Sequence, residues 1–198
     1  MQETPSLRER NRREAWLAIH TAAAELALEH GLALTTVEMI AGRSGVSRRT
    51  FFNYFATKED AILGVQELYI PEHALASFRA HRASLLERTV TLMAAVMRSA
   101  TPDVETQKRR ATLVEALPEL HTRMRRFVLS AEELLEPILG DELGDSAKAE
   151  GGVRALLMLS STILRYAYMR DPVSVTGGDE SALAAAISTF RDAAGVSA

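Results

Sequence analysis

Between residues 37 and 54 the sequence has room for two short helices and almost nothing to join them. Thr35-Thr36-Val37-Glu38 has the pattern of a capping box, with the Thr35 hydroxyl and the Glu38 carboxylate satisfying free amides at a helix start. That helix turns Val37, Ile40 and Ala41 inward and runs out at Ser44-Gly45. Ser47 caps the next helix, over residues 48–54, after a tight turn. A turn this tight needs a residue that tolerates positive φ, which is Gly45, and Val46 fills the gap between the helices. A longer helix precedes them, from about Leu7 to His30, with Trp16, Ile19, Ala23 and Leu26 on one face and Gly31 as its stop. Long, short, short is the order of a helix-turn-helix unit, although layout alone also suits an ordinary helical bundle.

The remainder is helical by composition: 31 Ala and 25 Leu stand against 12 Val and 7 Ile. A fourth helix is expected from Thr57-Lys58-Glu59-Asp60 to about Ile70, before Pro71. Longer ones follow over 72–100, 103–117, 119–139, 148–170 and 179–194, with polar loops at 141–152 and 173–178. The fold class is therefore all-α, about nine helices, in two domains: a helix-turn-helix domain at 1–56 and a larger helical domain at 57–198.

Several kinds of chemistry drop out early. Cysteine is absent, which excludes disulfides, thiolate metal sites and cysteine nucleophiles. The five histidines are scattered, and His73 and His81 lack the spacing of a helical zinc motif. No nucleophile elbow, phosphate loop or dinucleotide fingerprint is present, so no catalytic residue, metal or cofactor is expected. No apolar run approaches a membrane span and residues 1–13 are polar, so a cytoplasmic protein with no membrane partner is expected.

The net charge of −3 conceals an uneven distribution. Arg8, Arg10, Arg12 and Arg13 crowd the start of the chain with only Glu9 among them. From Met39 to Lys58 there are four basic residues (Arg43, Arg48, Arg49 and Lys58) and no acidic one. A basic patch on a mildly acidic body suits an anionic partner met at one end, and equally a solvated charged face.

The segment TTVEMIAGRSGVSRRTFFNYFATKED, residues 35–60, resembles the DNA-binding domain of TetR-family transcriptional regulators. The resemblance starts at Glu29-His30-Gly31 in the first helix and runs through Thr36, Ile40-Ala41, Gly45-Val46-Ser47, Thr50, Tyr54-Phe55 and Lys58-Glu59, about the first third of the chain. It implies a homodimer on double-stranded, near-palindromic DNA, with a C-terminal domain that binds a small molecule and forms the dimer. The chemistry of the residues agrees. Thr36, Ser47 and Lys58 stand at helix starts, where amides and the macrodipole attract phosphate. Arg48 and Arg49 open the recognition helix, and arginine is the usual bidentate partner of guanine. Thr50, Phe52 and Asn53 offer a hydroxyl, an apolar surface for a thymine methyl and an amide for adenine, while the resemblance implies a phosphate contact for Tyr54. Phe51 and Phe55 are expected to plug the domain core, and Thr36 and Ser47 serve as caps with or without DNA. Two positions depart from the family's commonest pattern: Arg49 replaces a small residue and Phe52 replaces a tyrosine.

One short recognition helix reads too few base pairs for useful specificity, so a two-fold dimer is expected on physical grounds as well. The last two helices, through Val153, Leu156, Leu157, Leu164, Tyr168, Leu183, Ala186, Ile187 and Phe190, would form it as a four-helix bundle, unless that stripe is core of one chain. Met93, Met97, Met124, Met158 and Met169 suit an adaptable apolar pocket or plain core. Met158, Thr162, Arg165 and Met169 share one face, where Arg165, if buried, would need an anionic ligand or an ion-pair partner. Residues 110–120, RATLVEALPEL, also resemble a TetR subgroup that takes acyl-CoA-like ligands. That would imply an apolar slot with a basic mouth drawn from Arg109, Arg110, Arg123, Arg125 and Arg126. The function these readings imply is a repressor released by a small molecule; an activator or co-repressor-dependent regulator, or a helical adaptor without DNA binding, would use the same fold.

Overall fold

The computed structural model describes residues 6–80, 83–101, 103–149, 151–171, 175 and 177–195. These form ten helices: α1 (Leu7–His30), α2 (Val37–Ser44), α3 (Arg48–Phe52), α4 (Lys58–Leu63), α5 (Glu72–Ala80), α6 (Leu85–Ser99), α7 (Val104–Ala116), α8 (Leu120–Ala149), α9 (Gly152–Arg170) and α10 (Glu180–Ala194). Among the described residues there is no strand, and no helix is long and apolar enough to cross a membrane.

The helices divide into two compact units. The first takes the described residues up to Gln66 together with Arg109–Arg123, so it holds more than the 1–56 expected of a helix-turn-helix domain. The second takes Glu67–Lys108 and the residues from Met124 onward.

In the first unit, Trp16, Ile19, Ala23 and Leu26 of α1 are buried with Ile40 and Ala41 of α2, and Phe51 and Phe55 are sealed inside as expected. The aromatic side chains form a chain of contacts, with Trp16 5.4 Å from Phe55 and Phe55 6.0 Å from Phe51. The segment Arg109–Arg123 is bound in by its arginines. Buried Arg110 donates from Nε to the Leu63 carbonyl at 2.8 Å and from Nη2 to that of Gly64 at 3.0 Å, supplying partners for carbonyls that α4 leaves open at its end. Arg123 pairs with the buried Asp60 carboxylate, which also accepts from Thr57 Oγ1 at 2.7 Å. Arg109 donates to Thr21 Oγ1 of α1 at 3.0 Å. Three of the five arginines expected to rim an acyl-CoA slot are therefore directed at α1 and α4 instead.

The second unit has one apolar core. Val90, Leu92, Met93 and Val96 of α6, Leu135 and Leu139 of α8, Val153, Leu157, Ile163 and Leu164 of α9, and Leu183 and Ile187 of α10 are packed together there. The stripe expected to form the dimer is thus interior to a single chain, with Leu156, Tyr168 and Phe190 packed against the same core.

Several helix boundaries differ from expectation. The fourth helix stops at Leu63, because Gly64 takes up a left-handed cap at φ 60°, and 65–70 is not helical. The helix expected over 72–100 is two helices, the second begun by a full capping box in which Ser84 and Glu87 exchange hydrogen bonds. The helix expected to stop at Gly140 continues as α8 to Ala149, with non-helical backbone at Gly144 (φ 77°), so residues 141–149 of the expected loop are taken up by the helix. Of the loop expected over 173–178, residues 173, 174 and 176 lie outside the described residues, as does His81, while Val175 and Gly177 are helical rather than loop.

Candidate nucleic-acid interface

The α2–α3 edge is built by caps. Thr36, not Thr35, is the N-cap of α2: its hydroxyl accepts from the Met39 amide at 3.2 Å. Thr35 is buried and donates to the Gly31 carbonyl at 2.9 Å. Glu38, freed from the expected capping box, pairs with Arg48 at 3.0 Å. Gly45 makes the turn at φ 71°, and the Val46 amide closes it on the Ala41 carbonyl at 3.0 Å. Ser47 caps α3, accepting from the Thr50 amide at 3.0 Å with its hydroxyl 2.8 Å from that of Thr50. Only five residues of α3 are helical, and Asn53, expected within the helix, is its C-cap.

On this edge Arg48, Arg49, Phe52 and Asn53 are exposed, as are Thr36 and Ser47, while Thr50 and Tyr54 are half-buried. Phe52 is 48% exposed although Phe51, its neighbour, is fully enclosed; the two rings meet edge to face at 5.3 Å. The Arg48 guanidinium lies 5.7 Å from the Phe52 ring centre as well as beside Glu38. Arg49 has no partner among the described residues, so its five donors face water.

Lys58 is placed differently from expectation. Its ammonium donates to the carbonyls of Leu32 at 2.7 Å and Thr35 at 2.8 Å, which binds the α1–α2 link to the start of α4. Two of its three donors are committed inside the unit. Arg43, which the sequence left as a solvated helix-end charge or part of the patch, grips Glu29 with two hydrogen bonds of 2.7 Å. The Arg43 hydrogen bond holds the Glu29 carboxyl below its ordinary range, and Glu29 in turn raises Arg43. Buried His20, 2.8 Å through Nδ1 from the Ala61 carbonyl, escaped the sequence reading because a lone histidine on an apolar face carries no signal.

The residues proposed for a ligand are not brought together. Met93 is fully buried in the core of the second unit, and Met97 and Met124 are partly buried. Met158 is 56% exposed, and Thr162 and Arg165 follow it on the open side of α9. Arg165 is therefore not the buried cation the stripe suggested: α9 packs through Val153, Leu157, Ile163 and Leu164 and leaves the Met158 side outward. An open groove of about 500 Å³ does lie between α8 and α9, with Glu133, Glu136, Asp141 and Arg154 in its lining, and none of the six candidates lines it.

Residues 19–63 match the family model of bacterial regulatory proteins of the tetR family. The span runs from the middle of α1 to the end of α4, the helices just described. No curated protein sequence matches significantly. Among solved structures, the chain is similar to NalD of Pseudomonas aeruginosa, the secondary repressor of the MexAB-OprM multidrug efflux pump, at 23% identity over 90% of this chain and 96% of that one, with a TM-score of 0.44. It is also similar to Salmonella enterica GusR, at 20% identity over 90% of this chain and 94% of that one, with a TM-score of 0.41. A TetR-family transcription regulator from Marinobacter aquaeolei VT8 shares 19% identity over 89% of this chain and 97% of that one, at a TM-score of 0.30. At such TM-scores these likenesses add nothing to the match of the family model.

Proposed function

We propose, taking residues 19–63 as the N-terminal domain of a tetR-family regulatory protein, that the chain is a homodimeric repressor released from its DNA by a small molecule. The observation that carries DNA binding is α3 itself: a capped helix fixed from behind by Phe51 and Phe55, with Arg49, Phe52 and Asn53 facing outward. Arg49 reads a base, with Phe52 against a thymine methyl and Asn53 on an adenine or a nearby phosphate. Thr36 and Ser47 keep hydroxyls at the surface for backbone phosphates, and Tyr54 does the same from the end of α3. Arg48, already shared between Glu38 and Phe52, exchanges its carboxylate for phosphate when the helix docks.

The dimer uses α9 and α10, through the side opposite the one the sequence suggested. Met158, Leu159 and Met169 are exposed on α9 at 56%, 41% and 78%, large apolar side chains left uncovered by the described residues. A two-fold axis beside these side chains buries each copy against its equivalent and sets two recognition helices at half-site spacing. The effector is held by the second unit and shifts the population toward conformers in which α4 carries the recognition helices away from that spacing. The size of the shift is limited by its differential affinity for the two states.

The test is selection of bound duplexes from a random pool by the purified protein, followed by the Arg49→Ala variant on the winning site. A two-fold symmetric winner and a loss of about 1–3 kcal/mol confined to one base position support the reading. An unsymmetrical winner would argue against the dimer. No enrichment at low salt would remove the DNA-binding function altogether.

A further inference from the structure

The recognition edge is not the only place where the first unit offers cations to solvent. We propose that the first two turns of α1 form a second grip on the same duplex, an arm that holds backbone phosphates through Arg8, Arg10 and Arg12 beyond the reach of α3. The inference rests on the DNA-binding reading above and adds an interaction outside the span that the family model matches, which begins at residue 19.

The first observation is what this stretch lacks. Leu7, Arg8, Arg10, Asn11, Arg12, Arg13 and Glu14 are all exposed, and the first buried side chain of the helix is Trp16, at 3%. About 13.5 Å of helix, at 1.5 Å per residue, thus precedes the first side chain that anchors α1 in the core. Arg8, Arg10 and Arg12 have no partner among the described residues, so these three guanidinium groups are open to an outside anion.

The second observation is electrostatic. Cations in the first turns of a helix oppose its macrodipole, and Arg8 and Arg12, four residues apart, repel across one turn. The helix forms there against both effects. A polyanion alongside removes both, because phosphate screens the arginines from each other and meets the positive end of the helix with the charge it favours.

Position selects which polyanion. Trp16, the residue at which α1 enters the core, stacks 5.4 Å from Phe55, only three residues past the end of α3. The arm thus opens the helix whose first core residue packs against the ring that backs α3, within one compact unit, and the duplex proposed to dock on α3 is the polyanion at hand. Its chemistry is sequence-independent: guanidinium groups on flexible stems pair with phosphate in a fork, fixing register and adding affinity without reading bases.

The experiment uses the full chain, the duplex that wild-type protein selects from a random pool, and a salt series. The triple variant Arg8→Gln, Arg10→Gln, Arg12→Gln should bind more weakly at every salt concentration. Its slope of log affinity against log salt should be shallower by about 2–3, near 0.9 for each phosphate no longer neutralised. Its base preferences at the selected site should be those of wild type, and its thermal midpoint should be unchanged or higher. The matching Arg→Lys triple variant, which keeps the charge, should retain most of the slope. Wild-type slope and affinity in the glutamine variant would overturn the arm while leaving recognition by α3 intact. A wild-type protein that selects no duplex at all would overturn the DNA-binding reading and the arm with it.

Discussion

The two sides of the first unit use cations for opposite purposes. On the α2–α3 edge and along the start of α1, Arg49, Arg8, Arg10 and Arg12 extend into water without a partner among the described residues. On the other side, where Arg109–Arg123 meets α1 and α4, the basic side chains are turned inward onto carbonyls, a hydroxyl and a buried carboxylate. Lys58 belongs with the inward group although it stands in a sequence motif shared with the outward one. Basic residues near a nucleic-acid interface are therefore not one population. Outward cations are the ones the proposed DNA contact would draw on, while inward cations close helix ends and stabilise the fold. Each group can be tested by a quantity that the other should leave unmoved.

The largest effect belongs to Arg110. Replacing it with methionine removes two charge-assisted hydrogen bonds from a buried site and leaves the Leu63 and Gly64 carbonyls open at the end of α4. At 1.5–3 kcal/mol for a hydrogen bond to a charged group, the loss should be about 3 kcal/mol or more, read by urea or thermal unfolding. Below the shifted transition, the salt slope for DNA should be that of wild type. Wild-type stability with a shallower slope would move Arg110 to the outward group and dissolve the distinction.

Lys58 is the more discriminating case, because sequence and structure assign it different work. Read from its place before a helix, it holds phosphate, and its loss should flatten the salt dependence by about 0.9. Read from its partners at 2.7 and 2.8 Å, it joins the Leu32 and Thr35 carbonyls to α4. The Lys58→Met variant should then lose about 1–2 kcal/mol of stability, somewhat less than Arg110 because the site is only half-buried, and keep its slope. Melting curves and a salt series on one preparation decide between the two.

What the sequence disclosed, and what it hid, follows the same division. The turn at Gly45, the cap at Ser47 and the buried Phe51 and Phe55 were legible because each depends on residues within a few positions. At the start of α2 the sequence offered both Thr35 and Thr36 as caps, since they carry the same hydroxyl, and only the capping box at Thr35 failed. The end of α4 at Gly64 and the start of α6 at Ser84 had local signals too, a glycine stop and a capping box, obscured by helical periodicity on either side. The partners of Arg110 were not legible. They lie 46 and 47 residues away, and an arginine looks the same in sequence whether it will meet a carbonyl or a phosphate. Arg165 shows the converse failure: periodicity placed it on an apolar stripe but could not say which face of α9 the core would take.

The smallest effect tests a cation at the boundary between the two groups. Arg43 belongs to α2 yet is paired, gripping Glu29 across the ends of α2 and α1 with two exposed 2.7 Å hydrogen bonds. Exposed pairs contribute little, so the Arg43→Gln variant should barely move the melting temperature at neutral pH. Its signature is in the pH dependence. In the folded protein the Arg43 hydrogen bond lowers the Glu29 pKa below the unfolded value, so the contribution is complete above the ordinary glutamate range and fades as pH falls through the lowered pKa. The gap between wild type and variant should accordingly be constant at neutral pH, narrow in acid, and vanish once Glu29 is protonated in both. In a carboxyl-resolved NMR titration Glu29 should titrate at higher pH in the variant than in wild type. An unmoved Glu29 midpoint, with weaker DNA binding and a shallower salt slope, would show that Arg43 spends its charge on phosphate and stands with the outward group.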